Sequence, residues 1–186
     1  AVPRSDDAGE TVPGGLLQLI AGDEDSLAEW GDAVAGGDGT RGRELFFGKV
    51  EVACVRCHQA EGTGGVVGPQ LDGIGARKDA RYLLESLVRP DAQVADGFQT
   101  MIVITDEGRA VSGIVVSEDN ERLTLRSAEG ELLTLQQDEI DERVPGPSSM
   151  PADLVSKLSR RELRDLVAWL GSLRAEDEAS LPASLP

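Results

Sequence analysis

Two hydrophobic periods divide this chain. Residues 40–48 place Gly42 and Phe46 four apart, which predicts a short helix with both on one face. Residues 79–89 carry Tyr82, Leu83, Leu87 and Val88 at helical spacing and stop at Pro90, the mark of an amphipathic helix. Ser159-Arg160-Arg161-Glu162 is a capping box. It opens a last helix that buries Leu163, Leu166, Val167 and Leu170 and ends at or just after Gly171. An earlier capping box, Ser26-Leu27-Ala28-Glu29, predicts a helix with Leu27, Trp30 and Val34 on one face, closed by Gly36-Gly37.

From Phe98 the period changes to two. Segments 98–105, 109–117, 121–127 and 131–136 alternate or run apolar. Asp106-Glu107-Gly108, Glu118-Asp119-Asn120 and Ala128-Glu129-Gly130 separate them as turns, and 140–144 adds a fifth short strand. The pattern predicts an antiparallel meander, closed as a small barrel and standing beside the helical part rather than around its chemistry. It gives way to the stiff loop Pro145-Gly146-Pro147-Ser148-Ser149-Met150-Pro151.

The expected layout has four parts. Residues 1–38 are a linker and short helix, the tail of a preceding domain; 39–97 and 145–174 make one helical domain; 98–144 are a β-strand insert; and 175–186, acidic and then rich in Pro and Ser, are a disordered tail. The formal net charge of −16 argues against nucleic acid and anionic membranes as partners. The longest apolar run, near residues 16–21, is too short for membrane insertion. Aromatic residues make up only 3% of the chain, which leaves a core short of large groups unless a cofactor fills it.

The candidate chemistry is concentrated at Cys54-Val55-Arg56-Cys57-His58, which uses both cysteines and the single histidine. Cys-x-x-Cys-His is the attachment signature of a c-type haem. Residues three apart share a face of a helical turn, so Cys54 and Cys57 can each form a thioether to one vinyl group, and His58 can ligate the iron as the proximal residue. A structural zinc site requires four Cys or His ligands, and the chain cannot complete one. A thioredoxin-type dithiol needs a buried strand before it, which residues 46–53 do not supply. The glycines of 62–71 suggest a phosphate cradle, but no Lys-Ser/Thr pair follows. Close approach of backbone to a haem face explains them more simply. Haem is attached to such motifs outside the cytoplasm. A leader or an upstream domain is therefore expected before Ala1, and a periplasmic or otherwise extracytoplasmic location with it.

A second axial ligand must be Met, Lys, a weaker donor or nothing. Met101 lies mid-strand, where a thioether is most simply core filler. Met150 lies in the Pro-rich loop before the last helix and is the favoured ligand. Its greater separation from His58 is accounted for by the insert.

These residues resemble class I cytochromes c: Gly42-x-x-x-Phe46, Cys54-x-x-Cys57-His58, Gly68-Pro69-x-Leu71, a Met-Pro loop, and a last helix with Leu166-Val167-Ala168-Trp169-Leu170. The longer runs Gly68-Pro69-Gln70-Leu71-Asp72-Gly73-Ile74-Gly75, Tyr82-Leu83-Leu84-Glu85-Ser86-Leu87 and Ser149-Met150-Pro151 are similar to the haem-binding domain of planctomycete and verrucomicrobial multidomain proteins. The resemblance spans residues 39–173. It implies a mainly α cytochrome c fold with an inserted small antiparallel β module, α+β overall, and one covalent haem c with His58 and Met150 as axial ligands. It also implies that the Pro69 carbonyl orients the His58 ring, and that Gly42 and Phe46 pack on Trp169. Arg77 stands where a propionate partner is often found, with a solvated loop arginine as the alternative. Tyr82 reaches a propionate or fills the core.

The expected function is single-electron transfer without substrate chemistry, to or from a redox partner protein or a fused dehydrogenase domain. The rivals are a haem enzyme or gas sensor with a labile sixth ligand, and an interaction module in which haem is a structural staple.

Overall fold

The computed structural model describes Leu27 and residues 29–174. Ser26 and Ala28 of the first capping box, the apolar run 16–21 and the expected disordered tail 175–186 lie outside these described residues. A 3-10 turn at Gly31–Val34 is followed by helix α1 (Gly39–Gly48) and the one-turn helix α2 (Cys54–Cys57). A two-stranded hairpin comes next, β1 (Gln59–Ala60) with β2 (Thr63–Gly64), then helices α3 (Ile74–Arg77) and α4 (Ala80–Val88). Five strands follow: β3 (Thr100–Thr105), β4 (Ala110–Glu118), β5 (Arg122–Arg126), β6 (Leu132–Gln136) and β7 (Ile140–Pro145). A 3-10 turn at Leu154–Lys157 leads into α5 (Arg160–Ser172).

The helical half is organised by the crossing of α1 and α5. Asp38 caps α1, its carboxylate accepting the amides of Thr40 and Arg41 at 3.0 and 3.3 Å. Its own amide donates to the buried carboxylate of Asp165 at 2.7 Å, which pins the start of α1 to α5 and gives a buried acid its partner. Four residues on, Gly42 lets the helix axes meet. A β-carbon there would stand 2.0 Å from the Asp165 carbonyl oxygen and 2.7 Å from Trp169 Cβ. Phe46, one turn further, is 1% exposed, with its ring centroid 4.7 Å from that of Trp169. Helix α5 has the expected capping box, Ser159 Oγ accepting the Glu162 amide and the Glu162 carboxylate accepting the Ser159 amide. Leu163, Leu166, Val167 and Leu170 are buried as read from the sequence. In α4 Leu83 and Leu87 face inward as expected, and Leu84 joins them while Tyr82 and Val88 are only partly buried.

The segment before α1 departs from expectation. The tight 3-10 turn rotates the chain so that Ala33, not Val34, enters the core; Val34 is 37% exposed. The segment also packs on the rest of the fold. Arg160 donates to the Glu29 carbonyl and to Asp32, Arg164 donates to Asp32, and the Arg160 guanidinium lies 4.9 Å from the centroid of the Trp30 ring.

The strands form one antiparallel sheet in the order β6-β5-β4-β3-β7, around a core of Val103, Leu123, Leu125 and Leu135. The fifth strand is present and extends to Pro145. Only the three-residue 3-10 turn Gln137–Glu139 separates β6 from β7, although they occupy opposite edges. Four inter-strand spacings amount to about 19 Å in a flat sheet, whereas four Cα steps reach at most about 15 Å. The sheet is therefore strongly curled. Backbone bonds from Gln137 to the Glu121 carbonyl and from Asp106 to the Glu139 carbonyl hold the curl at its ends. The expected closed barrel does not form: β6 and β7 remain edges, without a ladder between them among the described residues.

Candidate haem site

The attachment motif begins with a backbone reversal. Ala53 lies in the left-handed region at φ 45°, which turns the chain out of the α1 approach and into α2. The His58 amide bonds the Cys54 carbonyl at 3.0 Å and closes the turn. Cys54 and Cys57 are free thiols on the wall of one cavity of about 340 Å³. Burial pushes the Cys54 thiol up to about 11, opposite in direction to the depressed value of a nucleophilic redox cysteine. Among the described residues there is no group of three or more His, Cys, Asp or Glu that could hold a metal ion on its own.

His58 is positioned by the loop that follows. Its Nδ1 lies 3.0 Å from the Pro69 carbonyl oxygen, which can only accept, so Nδ1 carries the proton and Nε2 keeps its lone pair for ligation. Burial lowers the imidazole's proton affinity and the bond to Pro69 partly offsets this, a net direction that favours the neutral form that ligation requires. Gly68 lies flat against the ring. A β-carbon there would stand 2.6 Å from His58 Cε1 and 2.8 Å from Nδ1. The Gly68 amide donates to the Cys57 carbonyl at 2.8 Å, so the motif and the loop are stitched together. Part of the region read as a glycine-rich loop is the β1–β2 hairpin, a regular element too short to leave a periodic trace.

Met150 lines the same cavity as Cys54, Cys57 and His58, whereas Met101 packs against the sheet core. The Met150 loop is tied to the rest of the fold at two residues and braced within itself at the third. The Ser148 amide donates to Asp91 Oδ1 at 2.6 Å, the Ser149 hydroxyl meets the Thr100 hydroxyl at 3.0 Å, and the Met150 amide donates to Ser148 Oγ at 3.2 Å. Arg77 and Tyr82 also line the cavity. The Arg77 guanidinium donates to the Asp72 carbonyl at 3.1 Å. Lys78, which sequence reasoning passed over, joins Arg77 on that wall with its ammonium 4.0 Å from the centroid of the Tyr82 ring.

The strand insert does not simply stand beside the pocket. Ile114, from the middle of β4, is 4% exposed and forms part of the cavity wall, as do Phe98 and the irregular stretch around Val94 and Ala95. The expected separation of insert and pocket is therefore corrected. Ile114 reaches the site through strand register, a non-local property with no motif to announce it. The buried Pro90 and the half-buried Phe98 that bracket the irregular stretch were the available signals.

These residues suit a haem: two unpaired thiols on the wall of one cavity, an imidazole with one nitrogen free for ligation, a thioether, and a largely apolar enclosure lined also by Arg77 and Lys78. Residues 39–107 match the family model described as Cytochrome c. No curated protein matches the chain. The matched segment contains the attachment motif, Gly68, Pro69, Arg77 and Tyr82; Met150 and α5 lie beyond it. The match supports a cytochrome c haem-binding domain in this chain, whose cofactor is covalently attached haem c, with Cys54 and Cys57 as the two cysteines that such attachment requires.

Proposed function

We propose that this chain is an electron-carrying cytochrome c domain with His58 and Met150 as axial ligands. The observation that carries the reading is the sorting of the two methionines: Met150 shares the cavity with His58 and both thiols, and Met101 belongs to the sheet core. Bound haem supplies a ferric–ferrous couple, and thioether ligation favours the ferrous state and raises the potential. The protein's part is to keep both ligands in place through the change. Pro69 fixes the His58 ring, three hydrogen bonds fix the Met150 loop, and Phe46, Leu83, Ile114 and Leu166 keep water from the enclosure. Little then reorganises when the electron moves. Arg77 and Lys78 partner the propionates, and Tyr82 lines the same cavity beneath the Lys78 ammonium.

The work is done outside the cytoplasm, with a redox protein or a covalently joined dehydrogenase domain as partner. Among the described residues no helix is long and apolar enough to cross a membrane. The acidic surface suits a diffusing partner with a basic patch around its own electron port. Met150→Ala abolishes the weak long-wavelength band of ferric thioether ligation, turns the haem high-spin and lowers the potential, while Met101→Leu leaves all three unchanged. The reverse pattern overturns the assignment. A high-spin spectrum in the unmodified protein favours the rival with an open sixth position.

A further inference from the structure

Thr100, Ile114 and Arg126 are register partners on three adjacent strands: Thr100 pairs with Ile114 across β3 and β4, and Ile114 pairs with Arg126 across β4 and β5. Residues directly opposite in antiparallel strands project from the same face. Each member of this row meets a different part of the site. The Thr100 hydroxyl holds Ser149, next to Met150, at 3.0 Å. The Thr100 carbonyl accepts the Gly146 amide at 2.8 Å, at the start of the same loop. Ile114 forms cavity wall. The Arg126 guanidinium donates to the Val66 carbonyl at 3.0 Å, three residues before Pro69. The turn after β5 reinforces that end, since a β-carbon on Gly130 would stand 3.4 Å from Val67, which also lines the cavity.

We propose that the row Thr100–Ile114–Arg126 is a strut that sets the separation of the two loops serving the axial ligands, so that Thr100 and Arg126 are positioning residues for the haem iron. The row spans two inter-strand spacings, about 10 Å, and its ends are joined by backbone ladders rather than by flexible side chains. One end holds the Met150 loop and the other the loop whose Pro69 carbonyl orients His58. Ile114 alone of the row lines the cavity, and the two ends act on it through the loops they hold. The insert thereby keeps a weak thioether bond from opening, because it denies the two loops freedom to separate. The inference rests on the His58/Met150 reading.

The test uses the full haem-loaded chain with Thr100→Val, Arg126→Met and the double variant. Imidazole is titrated against the ferric protein to compete with the sixth ligand. Thermal loss of the long-wavelength thioether band is compared with loss of far-UV helicity, and amide exchange is followed at Met150 and Gly68. Each single variant raises imidazole affinity about fivefold, the effect of one lost hydrogen bond. Each also loses the thioether band at a lower temperature than the helices melt, and exchanges faster at the loop it releases. The double variant gains about as much as either single one, since a strut freed at one end is already slack. Unchanged imidazole affinity in both single variants, or gains that multiply in the double variant, overturn the strut. Absence of the thioether band in the unmodified protein overturns the Met150 reading and the strut with it, whereas a normal band with unresponsive variants overturns the strut alone.

Discussion

Replacing Gly68 by alanine adds one methyl group at the point where the loop lies flat on the His58 ring. The added carbon would fall 2.6, 2.8 and 3.0 Å from Cε1, Nδ1 and Nε2, below any ordinary carbon contact. The ring cannot move away freely, because Nδ1 is bonded to the Pro69 carbonyl and the Gly68 amide to the Cys57 carbonyl. Gly68 is not among the glycines in the left-handed region, so alanine brings no backbone strain and the effect reports the clash alone. Overpacking of this kind costs about 1–3 kcal/mol, and a broken His58–Pro69 bond adds about 1 kcal/mol. Reduced freedom of the unfolded chain returns about 0.5 kcal/mol. The net loss is about 1.5–3.5 kcal/mol, or a Tm lower by roughly 3–14 °C for a chain of this size. Differential scanning calorimetry of the haem-loaded protein measures the stability, and the visible spectrum reports the ligand field. A Tm within roughly 2 °C of the parent and an unaltered spectrum would show that the ring is not held by this contact.

Three further outcomes follow from the packing. Gly42→Ala forces α1 off the Asp165 carbonyl and lowers stability by about 3 kcal/mol, while Gly48→Ala, with nothing within 4 Å, is neutral or stabilising by up to about 1 kcal/mol; urea midpoints compare the two. Phe46→Ala removes a wall of both the cavity and the Trp169 contact and costs about 3–5 kcal/mol by the same measurement, with Phe46→Leu costing much less. The Glu162 carboxyl is held below its usual range by its bond to Lys49 at 2.6 Å and by the Ser159 cap. Its stabilisation is thus complete above the ordinary carboxyl value of 4.5 and is lost as pH falls through the lower folded value. Glu162→Gln therefore costs about 0.5–1 kcal/mol at pH 7 and nothing in strong acid, which parallel denaturation curves at the two pH values check.

What the sequence displayed and what it concealed follow the range of the interactions concerned. The Cys54–His58 motif, the α5 capping box and the stop at Pro90 are set by neighbours a few residues apart, and each is visible as a string of letters. Met150 was separable from Met101 because proline flanks one and strand alternation the other. Ala33 replacing Val34 in the core was hidden, since a 3-10 turn and an α-helix differ by a rotation that no pattern of four residues records. Curling of the sheet was hidden too, because it follows from the shortness of the Gln137–Glu139 turn between opposite edges, which becomes a constraint only once strand order is known. Ile114 reaches the pocket and Arg126 the Val66 carbonyl through register across β3, β4 and β5, and Lys78 joins the cavity wall with its ammonium over the Tyr82 ring. Such residues carry no local mark, and only the assembled fold discloses them.

Ligation of the haem iron by Met150 together with His58, as proposed, is open to direct observation. Labelling both methionine methyl groups with carbon-13 and recording the proton–carbon spectrum of the reduced, haem-loaded protein tests it most directly, because a methyl group bound above the porphyrin is shifted far upfield by the ring current. One methyl resonance is expected far upfield, lost in Met150→Ala and kept in Met101→Leu, and a second at the ordinary position of a methionine in a protein core. Two methyl resonances at ordinary positions, or an upfield one that disappears with Met101→Leu, would contradict it.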